Sequence, residues 1–93
     1  MKFTNDADVN GTCLQGYIQA YYHDLVRVFG EPEAGGDKTT VEWCLDFEDG
    51  TVATIYDWKE YETPMGLHRW HIGGHNSDAV EAVHETFYQK VTA

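Results

Sequence analysis

Between Thr39 and Lys59 apolar and polar side chains alternate with a period of two, and the alternation is interrupted once. Val41, Trp43, Leu45 and Phe47 fall on one side of an extended chain, with Thr40, Glu42, Cys44 and Asp46 on the other. That is the pattern of a strand with one buried face. Glu48-Asp49-Gly50 breaks it with turn chemistry, because glycine takes positive φ without a Cβ clash. Thr51 to Trp58 resumes in β-branched and aromatic residues. The stretch predicts a β-hairpin on which the other elements are arranged.

The flanking patterns supply those elements. Residues 1–10 are polar and aperiodic, and read as an N-terminal arm with a short strand at Lys2 to Thr4 as the alternative; residues 11–93 form one domain. Gly11 to Gln19 alternates again, with Cys13, Gln15 and Tyr17 opposite Thr12, Leu14 and Ile18, and its glycines disfavour a helix, so an edge strand is expected. From about Ala20 the period changes to 3.6: Tyr21, Leu25, Val28 and Phe29 share a face flanked by Tyr22 and Val26. Gly30 and Pro32 end that helix at Phe29. Glu31 to Lys38 and Glu60 to Leu67 read as loops, and His68 to Ile72 as a third strand with Trp70 and Ile72 on one side. Gly73-Gly74 is read as a turn into a last helix capped by Ser77 or Asn76, with Val80, Val83, His84, Phe87, Tyr88 and Val91 on its apolar stripe. The order (β)-α-β-β-β-α predicts an α+β, two-layer sandwich: an antiparallel sheet with two helices packed on one face. Its other face would carry Glu42, Cys44, Asp46 and aromatic surface. If uncovered, it would serve a dimer or a ligand.

Size and charge narrow the function. A 93-residue chain buries on the order of 60–65% of the surface its unfolded form exposes. The 42% hydrophobic content is enough for a single core. No apolar run is long enough to span a membrane and no secretion leader is evident, so Cys13 and Cys44 are expected as free thiols in a reducing cytosol. Sixteen acidic residues against six basic give a formal charge of −10. Such a surface repels DNA, RNA and anionic membrane and attracts basic protein surfaces, although it also serves plain solubility.

Candidate chemistry is sparse. His68, His71 and His75 are spaced H-x2-H-x3-H, but on a strand the first two point to opposite faces, and surface histidines are the simpler reading than a metal site. Cys44 in mid-strand reads as a small hydrophobe with a raised pKa. No nucleophile, paired-carboxylate or phosphate-loop motif appears, so neither an enzyme nor a cofactor is expected. Two binding sets stand out. Asp46, Glu48, Asp49, Asp57, Glu60 and Glu62 would form an acidic rim for a basic partner. Tyr17, Tyr56, Trp58, Lys59, Arg69 and His71 combine aromatic rings with cations, the chemistry that stacks a base and pairs a phosphate. A packed aromatic core with Lys59 at its margin is the structural alternative.

The segments GTCLQGYIQAYY, DLVRVFGEP, KTTVEWCLDFEDGTVATIYDWK and WHIGG, in that order, resemble a group of small uncharacterised proteins inferred from tailed-phage and prophage genomes. Cys13 stands where the group has serine, which weakens any catalytic thiol there, and Ala20 where a threonine-like helix cap is expected. The resemblance implies a phage product acting in the cytoplasm of an infected bacterium. It brings no catalytic residue. Together with the charge it leads to an expected binding protein that counteracts a bacterial defence system, like an anti-CRISPR inhibitor occluding a basic nucleic-acid-handling surface. A sponge for a nucleotide immune signal, formed at a homo-oligomer interface, is the alternative, and a virion or assembly accessory is the third.

Overall fold

A computed structural model describes residues 2–92; Met1, the head of the expected arm, and Ala93 lie outside the described residues. In chain order the elements are β1 (Phe3–Thr4), β2 (Cys13–Ala20), α1 (Tyr22–Phe29), β3 (Glu33–Ala34), β4 (Val41–Phe47), β5 (Val52–Tyr56), β6 (His68–Gly74) and α2 (Asp78–Val91). All strand pairs are antiparallel, in the order β1-β4-β5-β6-β2, with β3 also on β4. With its two helices this is the expected α+β fold. No helix among the described residues is long and apolar enough to cross a membrane.

The expected hairpin forms, with Trp43 opposite Ile55 and Leu45 opposite Ala53. At its turn Gly50 adopts φ 91°, and Asp49 Oδ1 accepts the Thr51 N–H at 2.9 Å. That bond and the Thr51 hydroxyl hold the Asp49 carboxyl below the usual range.

Two tryptophans join the layers. Trp43 and Trp70 are fully buried and meet edge to face, their centroids 5.6 Å apart. The Trp43 indole donates to the Gly30 carbonyl at 2.8 Å and the Trp70 indole to the Ala20 carbonyl at 3.0 Å. Those carbonyls bracket α1, so the sheet grips the helix just outside each end. Truncating either buried indole to alanine would cost about 3–5 kcal/mol. Each donor left unpaired would instead cost about 1–3 kcal/mol. Tyr22 completes the cluster against both rings.

Two details of the helices depart from the sequence pattern. Tyr21, expected on the buried face of α1, is half exposed as the residue preceding it, while Ala20 ends β2. On α2 the buried stripe is Ala79, Ala82, Val83, Thr86 and Phe87, with Tyr88 exposed. The reason is close approach: a Cβ on Gly74 would collide with that of Ala79, and one on Gly16 would meet Val80 at 2.8 Å. The helix lies so near the strands that Ala79 sits on Gly74 and Val80 on Gly16, while Val83 and Phe87 fill the core beside them. Gly73-Gly74 therefore closes β6 and is not the expected turn. The cap of α2 is Asn76, whose Oδ1 accepts the Asp78 N–H at 2.9 Å; Ser77 makes no capping bond.

The outer edge of β4 is covered along its length. β1 pairs at one end and β3 at the other. Between them Asn5 Oδ1 accepts the Cys44 N–H at 3.2 Å, and the Ala7 N–H donates to the Cys44 carbonyl. Asn5 Nδ2 reaches on to the Phe29 carbonyl, tying this edge to the end of α1. Phe3 packs against both Phe29 and Phe47.

Candidate functional site

Both helices lie on one face, where Trp43, Leu45, Ala53, Ile55, Trp70 and Ile72 build the core. By strand alternation Tyr56 and Trp58 from the β5 end, Arg69 and His71 from β6 and Tyr17 from β2 project on the other face. The register sets Tyr56 opposite His71 and His71 opposite Tyr17, so the three rings form a row. His71 stacks on Tyr56 at 5.4 Å and 25°, and meets Tyr17 edge-on at 5.1 Å. Trp58 lies 6.3 Å from Tyr56 and 6.2 Å from His71. Arg69 places its guanidinium 4.0 Å from the Tyr17 ring centroid, and Lys59 its ammonium 5.8 Å from that of Trp58. The six residues of the expected aromatic–cation set thus make one contiguous surface. Trp58 and Tyr17 keep 43% and 37% of their surface in solvent, so this is an open platform and not a second core.

A hollow of about 230 Å³ opens beside the platform, lined by Thr12, Cys13, Thr39, Glu42, Thr54, Tyr56, Trp58 and Gly73. Drug-sized ligands fill about 300–1,000 Å³. This hollow suits a single ring system. Its floor depends on Gly73, because a Cβ there would stand 2.5 Å from Thr54 Oγ1 and 3.5 Å from the Tyr56 ring.

The electrostatics of the face are unusual for an acidic chain. Burial, reinforced by the charges of Arg69 and His68 and only partly opposed by Asp57, pulls the His71 pKa down. His71 Nδ1 is buried with no hydrogen-bond partner. On the opposite side of Tyr56, burial and the neighbouring Glu33 push the Glu42 carboxyl up. Glu33 and Glu42 stand directly opposite one another across β3 and β4, a like-charge pair. Burial, then Glu42 and Tyr17, raise the Tyr56 phenol. The Cys44 thiol is pushed up to about 11 by burial and by Glu42 and Glu33, which leaves it unreactive.

Lys59 carries a backbone signal absent from the sequence pattern. Its φ of 58° is the left-handed conformation, the only positive φ at a non-glycine among the described residues. Its N–H donates to the Lys38 carbonyl at 2.8 Å. A side chain in that region costs on the order of 1–2 kcal/mol. Neither this strain nor the part played by Glu42 and Gly73 could be read from alternation, which assigns a face but not a depth.

The acidic rim does not form as expected. Asp57 is fully buried: its carboxylate accepts the Thr40 N–H at 2.8 Å, the Thr40 hydroxyl at 2.6 Å and the Val41 N–H at 3.4 Å. It follows Tyr56 by one residue and so faces the helix side, where it ties the end of β5 to the start of β4. The other five rim carboxylates are exposed but divided. Asp46, Glu48 and Asp49 sit at the hairpin turn, and Glu60 and Glu62 beyond its open end, about 17 Å away along five extended residues. At the turn Asp49 instead joins Asp78, Glu81 and Glu85 around a shallow groove, a grouping the sequence separation concealed.

The histidines do not converge. His68 packs edge-on to Trp70 at 5.1 Å on the helix side with Nε2 buried and unpartnered, while His71 lies on the open face. Among the described residues no three His, Cys, Asp or Glu side chains come together to hold a metal ion. Cys13 and Cys44 are both free, the first exposed and the second buried. Compared with protein-family models, with curated proteins and with solved structures, the chain matches none.

Proposed function

We propose that this chain is a binding protein that holds a small, planar, anionic ligand of the nucleotide class on its open sheet face. The observation that carries the reading is the assembly of Tyr17, Tyr56, Trp58 and His71 into one partly exposed platform, with Arg69 and Lys59 at its margin. In this reading the base enters the hollow beside Tyr56 and Trp58, with Glu42 available to accept an exocyclic amine. The phosphate meets Lys59 and Arg69. Stacking on an aromatic side chain contributes about 1–3 kcal/mol per base. A lone nucleotide is favoured over a nucleic acid strand because a chain of net charge −10 offers a polyanion no continuous basic track. The resemblance to phage-encoded proteins gives such binding a role: sequestering a nucleotide signal of a bacterial defence system in the infected cell.

The test is calorimetry and thermal shift against cyclic dinucleotides and ADP-ribose-type nucleotides. A ligand that raises the melting temperature of the native chain, and fails to do so for Trp58→Ala and for Lys59→Ala, supports the reading. A full panel without heat or shift overturns it.

The second reading, an acidic inhibitor of a basic host protein, has one observation in its favour, the convergence of Asp49, Asp78, Glu81 and Glu85. It predicts association that weakens steeply with salt and with charge-neutral substitutions at those four positions, leaving Trp58 and Lys59 without effect.

A further inference from the structure

The two edges of the sheet are treated differently. The β4 edge is covered by β1, by Asn5 and Ala7, and by β3, whereas β2 is the last strand of the sheet and among the described residues nothing pairs along its outer side. A free edge eight residues long, about 27 Å, presents a row of unpaired backbone donors and acceptors. Such edges are ordinarily guarded by charges, lysine above all, or by proline. β2 has neither charge nor proline, and its one irregularity is the extra residue Gln15 between the Leu14–Gly73 and Gly16–Ile72 pairs, which leaves Gly16 to Ala20 in regular register. CLQGYIQA lies inside a run from Val9 to Tyr22 that contains no Asp, Glu, Lys, Arg or Pro, in a chain where those charges make up 24% of residues. Exposed apolar side chains gather along it instead, with Leu14, Tyr17 and Tyr21 on or just after the strand. His84 of α2 donates Nε2–H to the Tyr17 carbonyl at 2.8 Å, which blunts the edge at one position near its middle.

From this placement we infer that the chain self-associates through β2, edge to edge and antiparallel, about a two-fold axis that runs through the strand pair perpendicular to the sheet. The occupant is a second copy because of charge. Two molecules of net charge −10 repel over most of their surfaces, and this stretch has no charge of its own, with a cation, Arg69 over Tyr17, beside it in place of a carboxylate. Antiparallel pairing of a strand with itself is self-complementary under such an axis, so one edge satisfies both partners. The geometry sets both helical layers on one side and both open faces on the other. Tyr17 of each copy then borders the seam, and the two aromatic platforms become neighbouring halves of one surface. The contact stands on the edge and its neutrality, and does not depend on what the platform binds.

Sedimentation equilibrium of the full chain, from micromolar to millimolar, reads it directly. The expected mass rises from 10.6 kDa toward twice that value with concentration. Hydrogen exchange should show the outward-facing, alternate amides of residues 13–20, those not already bonded to β6, gaining protection in parallel. Leu14→Lys combined with Gln19→Lys places charge on the edge at two exposed positions, and is expected to weaken association by on the order of tenfold or more while leaving the far-ultraviolet circular dichroism unchanged. Lysine is chosen because it lowers the net charge, so weaker association cannot come from overall repulsion. A chain that stays monomeric throughout, a dimer indifferent to both lysines, or concentration-dependent protection confined to other strands would each overturn the inference.

Discussion

Replacing Asp57 separates a buried structural carboxylate from a surface contact residue. Asp57→Ala removes the acceptor for the Thr40 N–H at 2.8 Å and the Thr40 hydroxyl at 2.6 Å, with a longer contact from Val41 N at 3.4 Å. Hydrogen bonds to a charged group contribute about 1.5–3 kcal/mol each. The two short ones therefore set an expected loss of about 3–5 kcal/mol, reduced from their sum because the Thr40 hydroxyl keeps Thr63 as a partner at 2.8 Å. For a domain of this length each kcal/mol moves the melting temperature by about 4–8 °C, so a fall of at least about 12 °C is expected by calorimetry or circular dichroism. Asp57→Asn keeps an acceptor for the backbone donors and lets the Thr40 hydroxyl turn to accept, so its cost is about 1 kcal/mol. Asp57 also directly precedes Trp58 and Lys59, and its loss should loosen the platform as well. An exposed rim position would behave oppositely, staying within about 0.5 kcal/mol of wild type. A melting temperature for Asp57→Ala within about 3 °C of wild type would refute the assignment.

Lys59→Gly relieves the left-handed backbone at φ 58°, so stability should hold or rise by up to about 1 kcal/mol in chemical denaturation while nucleotide affinity falls; a loss of stability would show that the φ carries no strain. With a thiol reagent at mildly alkaline pH the native chain should be modified at exposed Cys13 alone, Cys44 reacting only on denaturation, because its thiol is pushed up to about 11; rapid modification of both, located by peptide mass spectrometry, would contradict this. His71 is held below its unfolded pKa, so the unfolded chain binds more protons in that interval. Its contribution to stability is present above about pH 6.5 and is lost as pH falls through that value toward the folded pKa. The drop in melting temperature from about pH 7.5 to about 5.5 should be smaller in His71→Gln than in wild type, and equal slopes would argue against it.

The strands were legible because alternation is a direct consequence of strand geometry. Val41 to Phe47 alternates over seven residues with one face almost wholly apolar, and a one-residue slip would bury Glu42 and Asp46. The aromatic–cation set could be named from the chain because Tyr56, Trp58 and their neighbours obey the same period. What brings Tyr17 beside His71 is the pairing of β2 with β6, a contact between residues 54 apart that no local pattern encodes. The rim failed at Asp57 for a different reason: composition marks a carboxylate as polar, whereas its fate was set by three donors arriving from Thr40 and Val41. β3 was hidden inside a loop-like stretch since two residues are too short to show a period. On α2 the apolar wheel placed Val80, Val83, Phe87 and Val91 against the core and missed at Tyr88, and it passed over Ala79, Ala82 and Thr86 because periodicity measures hydrophobicity and not how closely Gly74 lets the helix approach.

The helix side of the sheet is locally consistent: both tryptophan indoles are paired, Ala79 and Val80 of α2 meet Gly74 and Gly16, and Asp57 is satisfied by its three donors. His68 Nε2 is the exception there. On the open side the departures accumulate within one patch. They comprise a lysine at φ 58°, a histidine nitrogen buried without a partner, glutamates facing each other across a strand pair, and a tryptophan left 43% exposed. Each is unfavourable by itself, and burying Trp58 or replacing Glu42 with glutamine would relieve one without touching the core. Unpartnered histidine nitrogens occur on both faces and exposed aromatics also on α2, so the distinguishing features are the left-handed Lys59 and the facing glutamates. Both border the Tyr56–Trp58 end of the platform, the place where the proposed ligand would sit. One substitution with two readouts tests this. Glu42→Gln should stabilise the free chain, because it removes both the burial cost and the repulsion from Glu33. If Glu42 serves the ligand, the same change should weaken binding, and a variant that gains stability without losing affinity would place the carboxylate outside the site.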